Sequence, residues 1–171
     1  MRIPHPAEED EFITDNKDGN EYAAVAIVIH DKRIILQKRS STRGDPWAGQ
    51  FSLPGGHYSK RDRSLKDTAI RETMEETGVD LEYSRYMGHF GPFTPGNRHN
   101  LRVYAYVFEL VRPQKLVSSD ESEFLIWVKL QELVAFDGDY GRSYRIKEGI
   151  IWGLTARIID RFKEIYGTGK W

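Results

Sequence analysis

The chain has 171 residues, 39% of them hydrophobic and 30% charged, with a formal net charge of −1 and no cysteine. That length suits one domain with a sizeable core, and the balanced charge gives no general pull toward nucleic acid or anionic membrane. The missing cysteine excludes disulfides and thiolate metal sites, no apolar run reaches the roughly 18 residues of a membrane span, and the opening "MRIPHPAEEDEF" lacks the apolar stretch of a secretory signal.

These features fit a cytoplasmic protein. Residues 1–20 are polar and read as an irregular arm, leaving 21–171 as a single domain. "EYAAVAIVIH", 21–30, is short and rich in Val and Ile, the composition of a buried strand. "HDKR" makes a turn, and "IILQKR" is its antiparallel partner. "SSTRGDPWAGQ", 40–50, is a loop by composition, and "FSL" is a short strand running into Pro54-Gly55-Gly56. A helix begins near Ser64, which with Asp67 resembles a capping box, and Gly78 is its natural stop. Further strands are expected at 82–90, 101–110 and 124–129, with a short helix after Lys129. A last helix covers roughly 151–166, where Ile151, Leu154, Ile158, Phe162 and Ile165 fall on one core-facing stripe.

The first helix carries Glu72, Glu75 and Glu76 within five positions. At about 100° per residue the three share an arc of about 100°, with Ile70 and Met74 on the far side, where they can face a core. Arg71 lies four residues before Glu75 and can pair with it. Two carboxylates about 5 Å apart repel by roughly 3 kcal/mol at an effective dielectric of about 20. Water and salt let an exposed helix face carry that repulsion, and a bound divalent cation offsets it. The Gly-Gly turn upstream favours the cation. It lets a backbone carbonyl approach, and carboxylates plus a carbonyl are the hard oxygen donors that magnesium takes.

The run Arg71-Glu72-Thr73-Met74-Glu75-Glu76-Thr77-Gly78-Val79, led in by Leu53-Pro54-Gly55-Gly56, resembles the Nudix hydrolase signature G-x5-E-x7-R-E-U-x-E-E-x-G-U, where U is bulky and aliphatic. In this half only Thr73 departs from the pattern. Fourteen residues separate Gly56 from Arg71 where the signature has thirteen, and Asp62 or Arg63 stands at the place of its first glutamate. A longer loop carrying aspartate resembles the coenzyme A diphosphatase branch, as do "DPWAGQFSLPGG" and "IWGLTARII". Arg39-Ser40, Arg43 and Gly49 match part of that branch's upstream pattern, with a longer spacing from Arg43 to Gly49. The resemblance covers roughly residues 21–166.

The resemblance implies an α/β fold, a Nudix-type α/β/α sandwich with a mixed sheet, the signature helix on one side and the carboxy-terminal helix on the other. It implies Mg2+- or Mn2+-dependent hydrolysis of the diphosphate linkage in a nucleoside diphosphate joined to another moiety. The metal ligands would be Glu72, Glu75, Glu76 and the carbonyl of Gly56, with Glu72 also a candidate base and Arg71 orienting the carboxylates. A downstream carboxylate in "SSDESEF" is expected to act as ligand or base, Glu121 first and Glu123 second. Asp62 is an outer ligand or a helix-entry turn residue. Arg39 and Arg43 are candidate phosphate contacts. In "GHFGPFTPGNRHN", Phe93 and Arg98 could stack a base and touch a phosphate, or the segment simply joins two strands. His57 is read as incidental. Coenzyme A or its derivatives are the favoured substrate, with ADP-ribose, a dinucleotide, or an inactive ligand-binding Nudix domain as alternatives. Isopentenyl diphosphate isomerases share the architecture but use a catalytic cysteine, which this chain lacks. The expected partner is a small nucleotide, with neither nucleic acid nor membrane, and homodimers are common in the family.

Overall fold

Strand β1 (Glu21–His30) organises the chain because both of its faces are apolar. The computed structural model describes residues 18–41, 44, 45 and 47–167. Side chains alternate along a strand, so Ala24, Ala26 and Val28 enter one core cluster and Ala23, Ile27 and Ile29 the other. Strand β2 (Arg33–Arg39) returns antiparallel after a hairpin in which Asp31 and Lys32 take φ of 48° and 59°. That left-handed pair supplies the twist of a two-residue turn. There follow β3 (Phe51–Ser52), β4 (Gly55–His57), α1 (Leu65–Thr77), β5 (Arg85–Phe93), β6 (Leu101–Glu109) and β7 (Ser122–Lys129). A 3-10 turn over Leu130–Glu132 leads to β8 (Val134–Gly138), β9 (Gly141–Ile146), β10 (Gly149–Ile151) and α2 (Gly153–Tyr166).

The main sheet has seven strands in the order β3-β2-β1-β6-β5, with β4 added to β1 and β7 to β2. The β1–β6 pair is parallel and the others are antiparallel, so the sheet is mixed. Leu65 and Ala69 of α1 pack on the Ala24–Ala26–Val28 face, and Ile158, Ile159 and Phe162 of α2 on the opposite face. This is the α/β/α sandwich expected. One edge of β1 is shared between two partners: Ala23–Val25 pair with β4, while Ile29–His30 pair with β2. The edge therefore changes hands near Ala26, whose N–H donates to the carbonyl of Pro54. Helix α1 lies over that change of partner.

Residues 134–150, for which the sequence predicts no strand, form the antiparallel sheet β10-β9-β8. Its strands are short and interrupted by Gly138, Gly141 and Gly149, so no long alternation betrays them. Tyr144 of β9 is buried, and its hydroxyl donates to Asp160 of α2 at 2.6 Å. Because Ile151 pairs with Tyr144 in β10, the last helix begins at Gly153 and not at 151. The arm expected over 1–20 lies outside the described residues except for 18–20. Among the described residues no helix is long and apolar enough to cross a membrane.

Candidate active site

Helix α1 starts where expected. Ser64 is the N-cap, and its hydroxyl accepts the Asp67 N–H at 3.2 Å. The reciprocal half of the capping box is absent, since the Asp67 carboxylate turns to the backbone and guanidinium of Arg63. Gly78 ends the helix at φ 71°, giving its N–H to the Met74 carbonyl. The buried face differs from the one the hydrophobic pattern suggests. Leu65, Thr68, Ala69, Thr73, Glu76 and Thr77 are buried, whereas Met74 is 44% exposed. Thr73 and Thr77 satisfy their hydroxyls internally by donating to the carbonyls of Ala69 and Thr73 at 2.7 and 2.6 Å. A strip of small side chains lets the helix close on the β4 glycines, and that approach turns Glu76 inward.

Neither glycine of the turn has room for a Cβ beside its present neighbours. A Cβ on Gly55 would lie 2.3 Å from the Ala24 carbonyl oxygen, and one on Gly56 would lie 2.5 Å from Cδ of Glu72. The Glu72 carboxylate thus rests on the bare Cα of Gly56. Glu76, 4% exposed, accepts the Gly55 N–H at 2.8 Å and a hydrogen bond from Gln37. Burial pushes the Glu76 carboxyl up to about 7, against the pull of those two hydrogen bonds, and the charges of Glu72 and Glu121 add to the rise.

Arg71 is the anchor of the acidic group. Its Nε and Nη2 donate to Asp62 at 2.8 and 2.9 Å in a forked pair. Asp62 is buried and also accepts the Thr68 hydroxyl at 2.9 Å and the Ser59 N–H at 3.1 Å. Burial raises the Asp62 pKa, but these partners together outweigh it and hold the carboxyl below its usual range. Asp62 is therefore the inward residue of the helix-entry turn, while Arg63 is exposed and pairs with Asp67. The remaining Nη1 of Arg71 donates to Glu72 at 2.6 Å and to Glu75 at 3.3 Å. Glu75 is 49% exposed and also faces Arg61, so it points outward, away from Glu76.

The strand register corrects the expected carbonyl. Ala26 donates to Pro54 and Tyr58 to Tyr22, so the intervening hydrogen-bonded pair is Ala24 with Gly56. The Gly56 carbonyl is consequently spent on β1. Gly55, between such pairs, directs its N–H and C=O off the free edge of β4, as its bond to Glu76 shows.

The other candidate residues divide. Glu121 is exposed on the turn before β7, close enough for its charge to raise the Glu76 pKa, and its carbonyl accepts the Ser40 N–H. Arg39 is engaged by Asp45, to which its Nε and Nη2 donate at 3.1 and 2.9 Å, leaving its Nη1 side for any phosphate. Arg43 lies outside the described residues. Phe93 packs into the cluster beneath α2, edge-on to Phe90 and under Arg157, on the sheet face away from Glu76. Arg98 reaches the start of β1 and the end of β4, bonding Glu21 at 2.5 Å and His57 at 3.4 Å. His57 pairs with Ala23, so this group sits on the face opposite Glu72.

Sequence reasoning missed Gln37 and Ser122. Gln37 shares the α1 face with Ile35 and is 2% exposed; a polar residue at a buried alternation position is the signal that could have found it. Ser52, opposite Gln37 in register, has a buried hydroxyl without a partner among the described residues.

Among the described residues no three acidic or histidine side chains converge closely enough to hold an ion by themselves. Glu72 lies near enough to act on the charge of Glu76, and the Gly55 carbonyl leaves β4 by the same edge as the N–H that bonds Glu76. A buried carboxyl whose pKa is raised by burial and by two neighbouring acids is the environment a hard dication relieves, so the residues fit magnesium or manganese in kind.

A NUDIX domain family model matches residues 20–148. The chain is 33% identical over 159 residues to Nudix hydrolase 22, chloroplastic, of Arabidopsis thaliana, covering 77% of this chain and 49% of that protein. It therefore spans about half the length of that relative. It is 27% identical over 164 residues to an uncharacterized Nudix hydrolase, NudL, of Photorhabdus laumondii, covering 86% of each. Among solved structures it resembles the NUDIX domain of Shewanella oneidensis NrtR, complexed with ADP ribose, at TM-score 0.62 and 19% identity, covering 85% of this chain and 88% of that one. That likeness shows the fold.

Proposed function

This chain belongs to the Nudix family, and from that membership we propose that it hydrolyses the diphosphate linkage of a nucleoside diphosphate joined to another moiety. The observation that carries the reading is the placement of Glu76. It is buried on the Gly55 amide, beside Glu72, at the point where β1 exchanges β2 for β4.

Glu72, Glu76 and the Gly55 carbonyl are the groups that would hold a divalent ion. Bound there, the ion supplies Lewis-acid polarisation of a phosphoryl oxygen and offsets the negative charge that repels an incoming nucleophile. The chain's own residues do the rest. Arg71, locked by Asp62, fixes the rotamer of Glu72. Glu121 is the exposed carboxylate nearest in charge to Glu76 and the first candidate to accept the proton of the attacking water. Water adds to one phosphorus, the bridging P–O bond breaks, and two phosphorylated products leave.

Coenzyme A is the first substrate proposed, on the residues Asp45 to Gly56 and the start of α2. A second reading is ADP-ribose or a dinucleotide, since the Arg39–Asp45 pair leaves fewer guanidinium donors for a phosphate in the coenzyme A pattern. The test is Glu76→Gln assayed with Mn2+ against coenzyme A, ADP-ribose, NADH and diadenosine polyphosphates. The parent is expected to cleave at least one, and the variant to lose roughly a thousandfold in rate, the scale of a lost charge-stabilising group. An unaffected variant would place the centre elsewhere. Turnover of ADP-ribose without turnover of coenzyme A would select the second reading.

A further inference from the structure

We propose that Gln37 and Ser122 are positioning residues that hold the Glu76 carboxylate in the orientation needed to ligate a divalent ion. The inference rests on the reading of Glu76 as a ligand and goes beyond it to the strand side of the site.

The geometry is a relay of buried polar groups. Ser122 donates its hydroxyl to Oε1 of Gln37 at 2.7 Å, and both residues are buried, at 8% and 2% exposure. With its oxygen taken, the Gln37 amide has its NH2 left to offer, on the same sheet face as Glu76 and near enough to draw the Glu76 pKa down against burial. The other side of Glu76 is held by the Gly55 N–H at 2.8 Å. The carboxylate is thus gripped by two donors from two different strands, β2 and β4, across the place where β1 changes partner. An amide can turn over and offer its oxygen instead, which would repel Glu76. In the orientation present, the Ser122 hydroxyl donates to that oxygen and leaves the NH2 for the carboxylate.

A local irregularity puts Ser122 there. Along the β2–β7 ladder Gln37 faces Leu125 and Lys38 faces Phe124, so an uninterrupted register would set Glu123 opposite Arg39. The register shifts instead, and Ser122 faces Arg39. The extra residue, Glu123, is left exposed. Alternation would otherwise send Ser122 to the α2 face; the bulge turns it to the face of Gln37. The same bulge places Glu121 on the turn beside the acids.

The experiment measures Mn2+ binding to the metal-free protein by electron paramagnetic resonance, alongside kinetics. Gln37→Met is expected to weaken Mn2+ binding about 10- to 100-fold, the range for partners that orient metal ligands. Ser122→Ala is expected to weaken it several-fold and Ser122→Thr, which keeps the hydroxyl, to restore it. Because Ser122 acts through Gln37, the double variant Gln37→Met with Ser122→Ala should be no worse than Gln37→Met alone. At saturating Mn2+ the substrate KM should stay within about twofold of the parent, and melting in EDTA checks folding. Parent-like Mn2+ binding in both single variants, with binding lost in Glu76→Gln, would overturn the relay alone. Parent-like binding in Glu76→Gln would overturn the underlying assignment of Glu76.

Discussion

The two helices that flank the sheet bury opposite kinds of surface. Helix α2 buries Ala156, Ile158, Ile159 and Phe162. Helix α1 buries Thr68, Thr73, Glu76 and Thr77 beside Leu65 and Ala69. The first is held by area removed from water, a force without direction. The second is held by individually partnered polar groups: Thr68 on Asp62, Thr73 and Thr77 on their own helix, Glu76 on Gly55 and Gln37. A directional set of bonds costs stability per group buried, and it fixes where each oxygen lies. One layer of the sandwich supports the fold, and the other accepts a poorer core to aim carboxylates.

That contrast is broken most severely from the α2 side. Phe162 is fully buried and stacks on Tyr166 with ring centroids 5.2 Å apart. Phe162→Ala should cost about 4 kcal/mol of stability, as large-to-small core changes do. Denaturant unfolding should show that loss, while kcat of the folded protein stays near the parent value. A large fall in kcat at unchanged stability would mean that α2 belongs to the site.

On the α1 side the largest stability effect comes from Glu76 and depends on pH. Its carboxyl moves from an ordinary 4.5 to about 7 on folding, mainly through burial. Below pH 4.5 it is protonated in both states and costs nothing. As pH rises from 4.5 to about 7 the unfolded chain ionises first, so stability falls, by about 3 kcal/mol over that window. Glu76→Gln lacks this term. The stability difference between parent and variant, measured in EDTA from pH 4.5 to 8, should therefore shift toward the variant as pH rises. Mn2+ should restore the parent at the upper end.

The two kinds of layer were not equally readable in the sequence. The apolar run of β1, the hairpin after it and the stripe of α2 are plain because burial of area leaves a periodic trace. The signature acids are plain because their spacing is fixed. The same periodicity rule fails on α1, where it assigns Met74 to the core and misses Thr73, because the buried strip there is polar and small. Gln37 and Ser122 were hidden for a related reason. Their meeting depends on a bulge in the β2–β7 ladder, and register is not written in either strand alone. Likewise the engagement of Arg39 by Asp45 and the placing of Phe93 beneath α2 are facts of packing that residue type does not carry.

The glycine turn sharpens the contrast within three strand residues. At Gly56 the atoms a Cβ would strike belong to the movable carboxylate of Glu72; at Gly55 they belong to the backbone of β1. Gly56→Ala should therefore fold, with little change in melting temperature, and lose activity about a hundredfold as Glu72 is displaced, the scale of an ångström of misplacement at a reacting centre. Gly55→Ala should lower the melting temperature instead, since β1 must move. Matched kinetics and melts of the two variants read the difference directly. An active, stable Gly56→Ala would separate Glu72 from the chemistry.

The smallest effect asks whether every polar group buried under α1 serves the site. Thr73 stands where the family's pattern has an aliphatic residue, and its hydroxyl donates to the Ala69 carbonyl. That carbonyl already accepts a helical N–H, so Thr73→Val leaves no acceptor orphaned. The change replaces a buried hydroxyl with a methyl of similar shape in a fully buried position. The expected result is a gain of up to about 1 kcal/mol, read as a rise of a few degrees in melting temperature, with kcat and Mn2+ binding unaltered. Thr73 has no bond to Asp62, Arg71 or Glu76, so nothing it does reaches the carboxylates except through helix position. If Thr73→Val instead weakens Mn2+ binding, the helix seats Glu76 through its whole polar strip, and the division between aiming groups and filler on this face has to be redrawn around Thr73.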